Sequence, residues 1–182
     1  MRRIVLLSLL LSACATTPTI VQRPVALDAP FLINGRIAIV QAARRESAGL
    51  RWTHTAASDE VLLLAPLGQT VARITSDVQG VTLETEGQTH VAQDAEALTQ
   101  QLLGWQLPLS GLRYWLTALP APSGAYHSEQ DATGRMSVLY QQGWAIHYTR
   151  YADEGHNALP LRLTLQRAGL EVRVVIDEWE GR

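Results

Sequence analysis

The polar side chains that could perform acid–base or metal chemistry do not form a catalytic motif. Asp177, Glu178 and Glu180 lie close together near the C-terminus, where they could act as a carboxylate pair or hold a cation. His147 and His156 flank two tyrosines, but no nucleophile or third group stands at motif spacing. We interpret the acidic cluster as a solvated strand end, and we predict no catalytic residue and no metal site.

Motifs and composition narrow the function further. The sequence has no Gly-rich phosphate loop, no His-Glu-x-x-His helix and no Gly-x-Ser-x-Gly turn. A single cysteine excludes an internal disulfide framework and a multi-cysteine metal site. Fifteen basic residues against 17 acidic ones give a net charge of −2, which argues against binding to nucleic acid. We expect neither an enzyme nor a cofactor, and we place His54 and His90 in turns or at the surface.

The lone cysteine, Cys14, follows a segment typical of a secretory signal. Two arginines precede a mostly apolar run over residues 4–11, and small residues stand directly before the cysteine. The run is about half of the ~20 residues that a spanning helix needs. Residues 11–14, Leu-Ser-Ala-Cys, resemble the bacterial lipobox, whose cysteine is diacylated, becomes the new N-terminus and is acylated again. We predict a signal peptide over residues 1–13 and lipid attachment at Cys14; the alternative is an ordinary signal peptide with a chance cysteine.

The residues after the cysteine indicate where the anchor would sit. Three acyl chains, at ~0.8 kcal/mol per buried methylene, form a strong membrane anchor. Ala15 stands where the gammaproteobacterial sorting rule has Asp for inner-membrane retention, which favours the outer membrane with the domain facing the periplasm. Residues 14–30 contain three prolines and few large apolar side chains. They predict a tether that reaches on the order of 50 Å, followed by one domain over residues 31–182.

The most unusual feature of the domain is its large apolar side chains. Apolar residues make up 47% of the chain, and five tryptophans accompany a single phenylalanine. Each one taken alone is expected in an ordinary core, but together they could line a cavity between a curved sheet and its covering helices. The tryptophans and tyrosines are Trp52, Trp105, Trp115, Trp144 and Trp179 with Tyr114, Tyr126, Tyr140, Tyr148 and Tyr151.

The elements that must position these side chains follow from hydrophobic periodicity. Apolar residues alternate with polar ones around 36–39, 81–84, 144–149, 161–166 and 171–177, as in antiparallel strands with one buried face. Two helical patterns interrupt them, one from the N-cap Asp94 to Gly104 and one after Pro108 that extends to Leu119. The order predicts one α+β domain, a curved antiparallel sheet or partly closed barrel covered by helices.

The segment over residues 61–69, Val-Leu-Leu-Leu-Ala-Pro-Leu-Gly-Gln, departs from this alternation. Its strand part is apolar on both faces, so we expect both faces to be covered. It then reaches a turn of Pro66, Leu67 and Gly68, with a leucine where turns normally carry a polar residue. Two interpretations stay open: the leucine folds back onto the core, or it is exposed for contact with a bilayer or an acyl chain.

Taken in order along nearly the whole chain, these features resemble the outer-membrane lipoprotein LolB family. The resemblance implies an incomplete antiparallel β-barrel, a strongly curved sheet with lid helices over a hydrophobic cavity, similar to the periplasmic carrier LolA. The residues that carry it are Cys14, Asn34-Gly35-Arg36, Trp52, residues 62–69, Asp94-Ala95-Glu96, residues 112–116, Leu119-Pro120, Gly143-Trp144, Tyr148, Tyr151, Leu159-Pro160 and Asp177-Glu178-Trp179.

The resemblance also implies a function. Family members accept acylated lipoproteins from LolA and insert them into the outer membrane, so the expected partners are LolA, acylated lipoprotein clients and outer-membrane lipids, without nucleotide. We expect a monomer. The loop of Pro66, Leu67 and Gly68 would be the membrane-insertion loop. The residues expected to line the acyl-chain cavity are Trp52, Leu63, Leu112, Trp115, Leu116, Trp144 and Tyr148.

Two rival functions remain compatible with the residues. A lipid-anchored carrier of another hydrophobic ligand, such as a phospholipid or glycolipid, would use the same cavity. A structural or assembly lipoprotein would instead bind another protein through a sheet edge, and it would have a filled core with an exposed edge strand.

Overall fold

The domain is built on one antiparallel sheet. The computed structural model describes Arg23, Ala26 and residues 29–181, so the predicted signal peptide, Cys14 and most of the predicted tether lie outside the described residues. The elements of the described part are β1 (Phe31–Gln41), β2 (Arg44–His54), β3 (Asp59–Leu64), β4 (Thr70–Asp77), β5 (Gly80–Thr85), β6 (Gln88–Ala92), α1 (Ala95–Leu103), α2 (Leu109–Trp115), β7 (Tyr126–Gln130), β8 (Met136–Gln141), β9 (Trp144–Tyr151), β10 (Pro160–Arg167) and β11 (Leu170–Gly181).

The sheet is curved and unclosed, which confirms the predicted incomplete barrel. Its strand order is β6-β5-β4-β3-β2-β1-β11-β10-β9-β8-β7, and each neighbouring pair is antiparallel. Along the chain, α1 and α2 lie between the two edge strands, β6 and β7. The two helices therefore belong to the connection between the two edges of the sheet. Every element of the described part lies after residue 30, so a chain that starts at position 14 keeps this sheet and these two helices.

The predicted period-two alternation is confirmed in the strands. Ile37 and Ile39 of β1 are buried while Arg36 is exposed, and Val172 and Val174 of β11 are fully buried. These side chains share the inner face because the register pairs Ile37 with Val174 and Ile39 with Val172. One face of the sheet thus supplies the apolar interior.

Helix α1 has the predicted ends. The Asp94 side chain accepts a hydrogen bond from the backbone N–H of Glu96 at 2.9 Å, and Gly104 closes the helix with a φ of 82°. Leu98 is buried against the sheet side. Of the residues that the structure describes, no helix is long and apolar enough to cross a membrane.

Helix α2 is shorter than predicted. It ends at Trp115, so the expectation that helical spacing continues to Leu119 is wrong. The Thr117 hydroxyl donates to the carbonyl oxygen of Tyr114 at 2.8 Å, and Ala118 has a φ of 55°. A side chain that competes for a helix carbonyl, followed by a left-handed residue, turns the chain out of the helix.

The expectation that both faces of β3 are covered is also wrong. Val61 and Leu63 are buried on the inner face, whereas Leu62 and Leu64 are only half-buried. Leu62 is paired across the sheet with Arg51 and Arg73. The aliphatic stems of long charged side chains can shield part of an outward-facing leucine without another layer of structure.

Candidate functional site

The seven residues predicted to line an acyl-chain cavity come together in the interior. All are buried and belong to a single hydrophobic cluster between the inner face of the sheet and the two helices. Four lie on strands and three on or directly after α2. They are Trp52, Leu63, Trp144 and Tyr148 from the sheet and Leu112, Trp115 and Leu116 from the helix region.

The open space in this interior is small. A cavity of about 220 Å³, which we call the Trp105 cavity, lies against the inner face of β1 to β5. Typical ligand pockets have about 300–1,000 Å³, so in the described conformation acyl chains would fit only after side chains or helices move. Of the seven predicted residues, Leu63 lines this cavity. Its lining residues are Ile37, Ile39, Glu46, Ser47, Ala48, Leu63, Val71, Ala72, Thr85, Leu103 and Trp105.

A larger groove of about 810 Å³ lies at the ends of the strands. Its walls include the hairpin turns at Gln142-Gly143 and Ala168-Gly169, and Trp144 is the predicted cavity residue that reaches it. The Arg167 guanidinium lies 5.5 Å from the centre of the Trp144 ring. Hairpin turns and the charged side chains of Arg167 and Glu171 form part of this wall, so the Trp105 cavity and the apolar interior behind it are the candidate acyl-chain site.

A buried polar cluster fastens α2 to the sheet. The Asp59 carboxylate accepts a hydrogen bond from Trp52 Nε1 at 2.8 Å and lies 2.8 Å from His54 Nδ1 and 3.4 Å from Arg113 Nη1. Asp59 and His54 are buried. We call Trp52, His54, Asp59 and Arg113 the Asp59 cluster. A buried carboxylate is stable only when donors surround it, as they do here.

The expectation that His54 lies in a turn or at the surface is therefore wrong. The inner-face alternation of β2 runs through Leu50 and Trp52 and continues to His54, which the sheet register pairs with Asp59. The alternation that places His54 on the inner face was readable in the sequence, but its pairing with the Asp59 carboxylate was not. His90, in the same expectation, is half-buried on β6.

A second buried polar group, Gln141, holds the segment after α2. Its Oε1 accepts hydrogen bonds from Trp115 Nε1 at 2.9 Å and from the backbone N–H of Ala121 at 2.8 Å. Its Nε2 donates to the carbonyl oxygen of Ala121 at 2.9 Å. The Tyr148 hydroxyl donates to the carbonyl oxygen of Trp115 at 2.9 Å, and burial raises the pKa of Tyr148 well above its ordinary value. The phenol therefore stays a neutral donor.

Helix α1 makes its polar contacts with the neighbouring helix and linker. The Thr99 hydroxyl accepts a hydrogen bond from the backbone N–H of Leu107 at 3.0 Å, and Ser110 Oγ donates to Glu96 Oε1 at 2.8 Å. Burial, followed by the hydrogen-bonded Asp94 side chain, raises the pKa of Glu96. The hydrogen bonds of the α1 side chains in the described part of the chain thus lead away from the sheet.

The loop of Pro66, Leu67 and Gly68 projects its leucine into solvent. Leu67 is 88% exposed. The turn is closed by hydrogen bonds from Ala65 N–H to the Gln69 oxygen and from Gly68 N–H to the Ala65 oxygen, each 2.8 Å long. Gly68 has a φ of 82°, which glycine adopts without strain. Of the two interpretations, the structure has the exposed leucine; its role at a membrane stays a prediction.

The acidic residues near the C-terminus are a solvated strand end, as predicted. Asp177 is exposed and pairs with Arg36 at 2.7 Å, and the Asn34 side chain donates to Glu178 and Glu180. Among the described residues, no group of three His, Cys, Asp or Glu side chains could hold a metal ion.

Known proteins are similar to this chain in sequence and in fold. The family model described as outer membrane lipoprotein LolB matches residues 29–179. A relative named outer-membrane lipoprotein LolB from Chromobacterium violaceum is 42% identical, with 98% of this chain and 99% of the relative covered. Proteins with the same name from Nitrosomonas europaea and Pseudomonas aeruginosa are 40% and 39% identical, covering 90% and 86% of this chain and 81% and 76% of theirs.

Solved structures with low sequence identity share the fold alone. A LolA superfamily protein from Nitrosomonas europaea superposes with a TM-score of 0.52 at 11% identity, over 85% of this chain and 87% of its own. A putative outer membrane lipoprotein-sorting protein domain from Vibrio parahaemolyticus has a TM-score of 0.51 at 8% identity, over 84% and 85%. Because the family model spans most of the chain and the relatives match nearly all of it, the chain belongs to the outer-membrane lipoprotein LolB family.

Proposed function

We propose that this protein is a lipid-anchored receptor of the outer membrane that accepts acylated lipoproteins from a LolA-type periplasmic carrier and inserts them into the membrane. The observation that carries the proposal is the 88% exposed Leu67 on a rigid turn of an incomplete barrel with an apolar interior. Cys14 would hold the protein at the membrane. The role is non-enzymatic, and it needs neither cofactor nor nucleotide.

The hydrophobic effect explains why such a receptor needs an interior of this kind. Each acyl methylene exposed to water costs ~0.8 kcal/mol, so a client must move from one shielded site to the next. The interior residues Trp52, Leu63, Leu112, Trp115, Leu116, Trp144 and Tyr148 would shield the chains between carrier and bilayer. Transfer without nucleotide runs downhill only if this interior holds acyl chains more tightly than the carrier and less tightly than a membrane.

The position of Leu67 suits the last step. β4 begins directly after the loop, and Val71 and Ala72 of that strand line the Trp105 cavity. A leucine inserted into the bilayer at this point would bring the mouth of the cavity against the lipid, so acyl chains would cross little water on release. Apolar surface at a turn is typical of membrane or protein contact.

The direct test compares two charged substitutions at exposed turns. Leu67→Glu should leave acceptance of the client from the carrier intact and reduce its delivery to liposomes at least severalfold. The matched control is Val78→Glu, because Val78 is 96% exposed on the turn between β4 and β5. This turn follows β4, whereas the Leu67 loop precedes it, so the two residues lie at opposite ends of that strand. Both variants should unfold within about 0.5 kcal/mol of the parent protein, as exposed substitutions usually do.

The assay uses a purified LolA-type carrier loaded with an acylated client, the receptor and liposomes, and it measures client in the liposome fraction. Equal delivery by the Leu67→Glu and Val78→Glu variants would refute the loop's role. Extraction of free phospholipid together with failure to accept the client would favour the carrier of another hydrophobic ligand instead.

A further inference from the structure

Three buried side-chain donors have no partner among the residues that the structure describes, namely Arg23 Nε, Arg113 Nε and Trp105 Nε1, and of these three residues Trp105 lines a cavity of the interior. Trp105 is 5% exposed, and its indole Nε1–H is buried without an acceptor among the residues that the structure describes. Buried tryptophans usually place this N–H against an acceptor. Trp52, Trp115 and Trp179 do so, with Asp59, Gln141 and the carbonyl oxygen of Pro160 respectively.

The Trp105 side chain belongs to the wall of the Trp105 cavity. The other walls are mainly apolar, with Ile37, Leu63 and Leu103 among them. The exposed side of the wall includes Glu46 and Ser47. Trp105 is therefore a buried residue in the wall of a cavity that is apolar inside and polar where it meets solvent.

The chemistry around the cavity defines the acceptor that would fit. The charged side chain of the lining is Glu46, and Arg44 Nη2 already lies 3.5 Å from its carboxylate. Because Arg44 and Glu46 pair, the exposed side of the wall carries no surplus positive charge that would favour a phosphate or carboxylate ligand. A neutral acceptor on an otherwise apolar molecule suits a neutral donor in an apolar wall, and the ester carbonyl of an acyl chain is such a group.

We propose that Trp105 Nε1–H donates a hydrogen bond to an ester carbonyl of the client's diacylglyceryl group when the acyl chains occupy the interior. The inference rests on the proposed function and assigns its substrate class: O-acyl esters rather than apolar chains in general. An ester lies where the apolar chains end and the client's polypeptide begins. A hydrogen bond from Trp105 to this ester would therefore hold the chains inside and leave the polypeptide outside.

The backbone beside Trp105 provides for movement. Gly104, directly before it, has a φ of 82°, and Leu103 on the other side of that glycine lines the same cavity. Because the cavity has only about 220 Å³, side chains of its wall would move aside to admit acyl chains, and Leu103 and Trp105 are two of them. The same motion would carry the indole to the ester.

The test uses a matched pair of ligands that differ only in the type of bond that attaches the chains. Two short lipopeptides carry S-linked glyceryl groups with chains of equal length, attached by ester bonds in one and by ether bonds in the other. Their dissociation constants are measured calorimetrically with a protein that starts at position 14 and carries Cys14→Ala. The parent protein should bind the ester ligand about three- to tenfold more tightly, as expected for one additional buried hydrogen bond.

Trp105→Phe should remove this preference and leave binding of the ether ligand within about twofold, because phenylalanine keeps the apolar contact without the donor. Trp179→Phe is the matched control: its indole already donates to Pro160, so the ester preference should persist. Equal binding of ester and ether ligands by the parent protein would overturn the inference while leaving the proposed function intact. Failure of the parent protein to bind either ligand would refute both.

Discussion

The two helices that cover the interior are held in different ways. Helix α2 is held to the sheet by the half-buried Arg113–Asp59 contact at 3.4 Å and by the buried Trp115–Gln141 hydrogen bond at 2.9 Å. Helix α1 packs on β5 and β6, and the hydrogen bonds that its side chains make outside the helix lead to the linker and α2. Polar side-chain contacts thus tie α2 to the sheet, whereas α1 lies on the sheet through its apolar side chains and is tied to its neighbours in the cover.

This difference indicates where the interior opens. Separating α2 from the sheet would break the hydrogen bond between Trp115 and Gln141 and take Arg113 away from Asp59, at about 1–3 kcal/mol for each buried group left unsatisfied. Moving Leu103 and Trp105 breaks no hydrogen bond of the Trp105 indole, and bound acyl chains would replace the apolar contacts that are lost. Local opening follows the least costly contacts, so we expect clients to enter under α1 while α2 stays in place.

The largest effect should come from the Asp59 cluster. Asp59→Ala removes the acceptor shared by Trp52, His54 and Arg113, and it should lower the free energy of unfolding by about 3–5 kcal/mol, because each buried group left unsatisfied costs about 1–3 kcal/mol. Urea denaturation measures this. Asp177→Ala is the control, because the Arg36–Asp177 pair is exposed and should contribute about 1 kcal/mol or less. Similar losses in both variants would mean that α2 is not specially fastened.

A somewhat smaller effect is expected at Gln141. Gln141→Leu leaves the Trp115 indole and the Ala121 amide without their acceptor, so the free energy of unfolding should fall by about 2–4 kcal/mol. The neighbouring Gln142→Leu removes only exposed hydrogen bonds to Ser123 and should cost less than about 1 kcal/mol. If the order of the two variants is reversed in the same denaturation experiment, the segment after α2 is not held by Gln141.

The smallest effect should be on α1, and it should depend on pH. The pKa of Glu96 is raised in the folded protein, so the folded state binds this proton more tightly than the unfolded state does. The contribution of Glu96 to stability is therefore full below the unfolded pKa of about 4.3 and declines as pH rises through the higher folded pKa. In melting-temperature measurements from pH 3.5 to 7.5, the parent protein should lose stability relative to the Glu96→Gln variant as pH rises. A difference that is constant with pH would contradict this assignment.

Local signals in the sequence predicted much of the fold. The strand periodicity of β1, β5, β9 and β11 and the ends of α1 at Asp94 and Gly104 depend on neighbours within a few residues, so they are readable without the structure. The length of α2 was misjudged because the Thr117 hydroxyl competes for a helix carbonyl, which apolar spacing does not reveal.

The candidate site was predictable only as a set of apolar residues. All seven predicted cavity residues lie in the interior, because alternation and helical spacing determine which side chains face inward. The polar groups that distinguish the two ends of the cover depend on distant partners: Asp59 meets Arg113, 54 positions away, and Gln141 meets Trp115, 26 positions away. The unpaired N–H of Trp105 is likewise a property of the packed structure, and no local pattern indicates it.

Entry of clients under α1 is tested by amide hydrogen exchange on the receptor, loaded with an acylated client by a LolA-type carrier. The protein starts at position 14 with Cys14→Ala and is compared with and without client. We predict that the client is accepted and that exchange changes in α1 and at Gly104 and Trp105, while the amides of α2 remain as protected as before. No transfer of the client would contradict the proposed receptor function, and a change confined to α2 would contradict entry under α1.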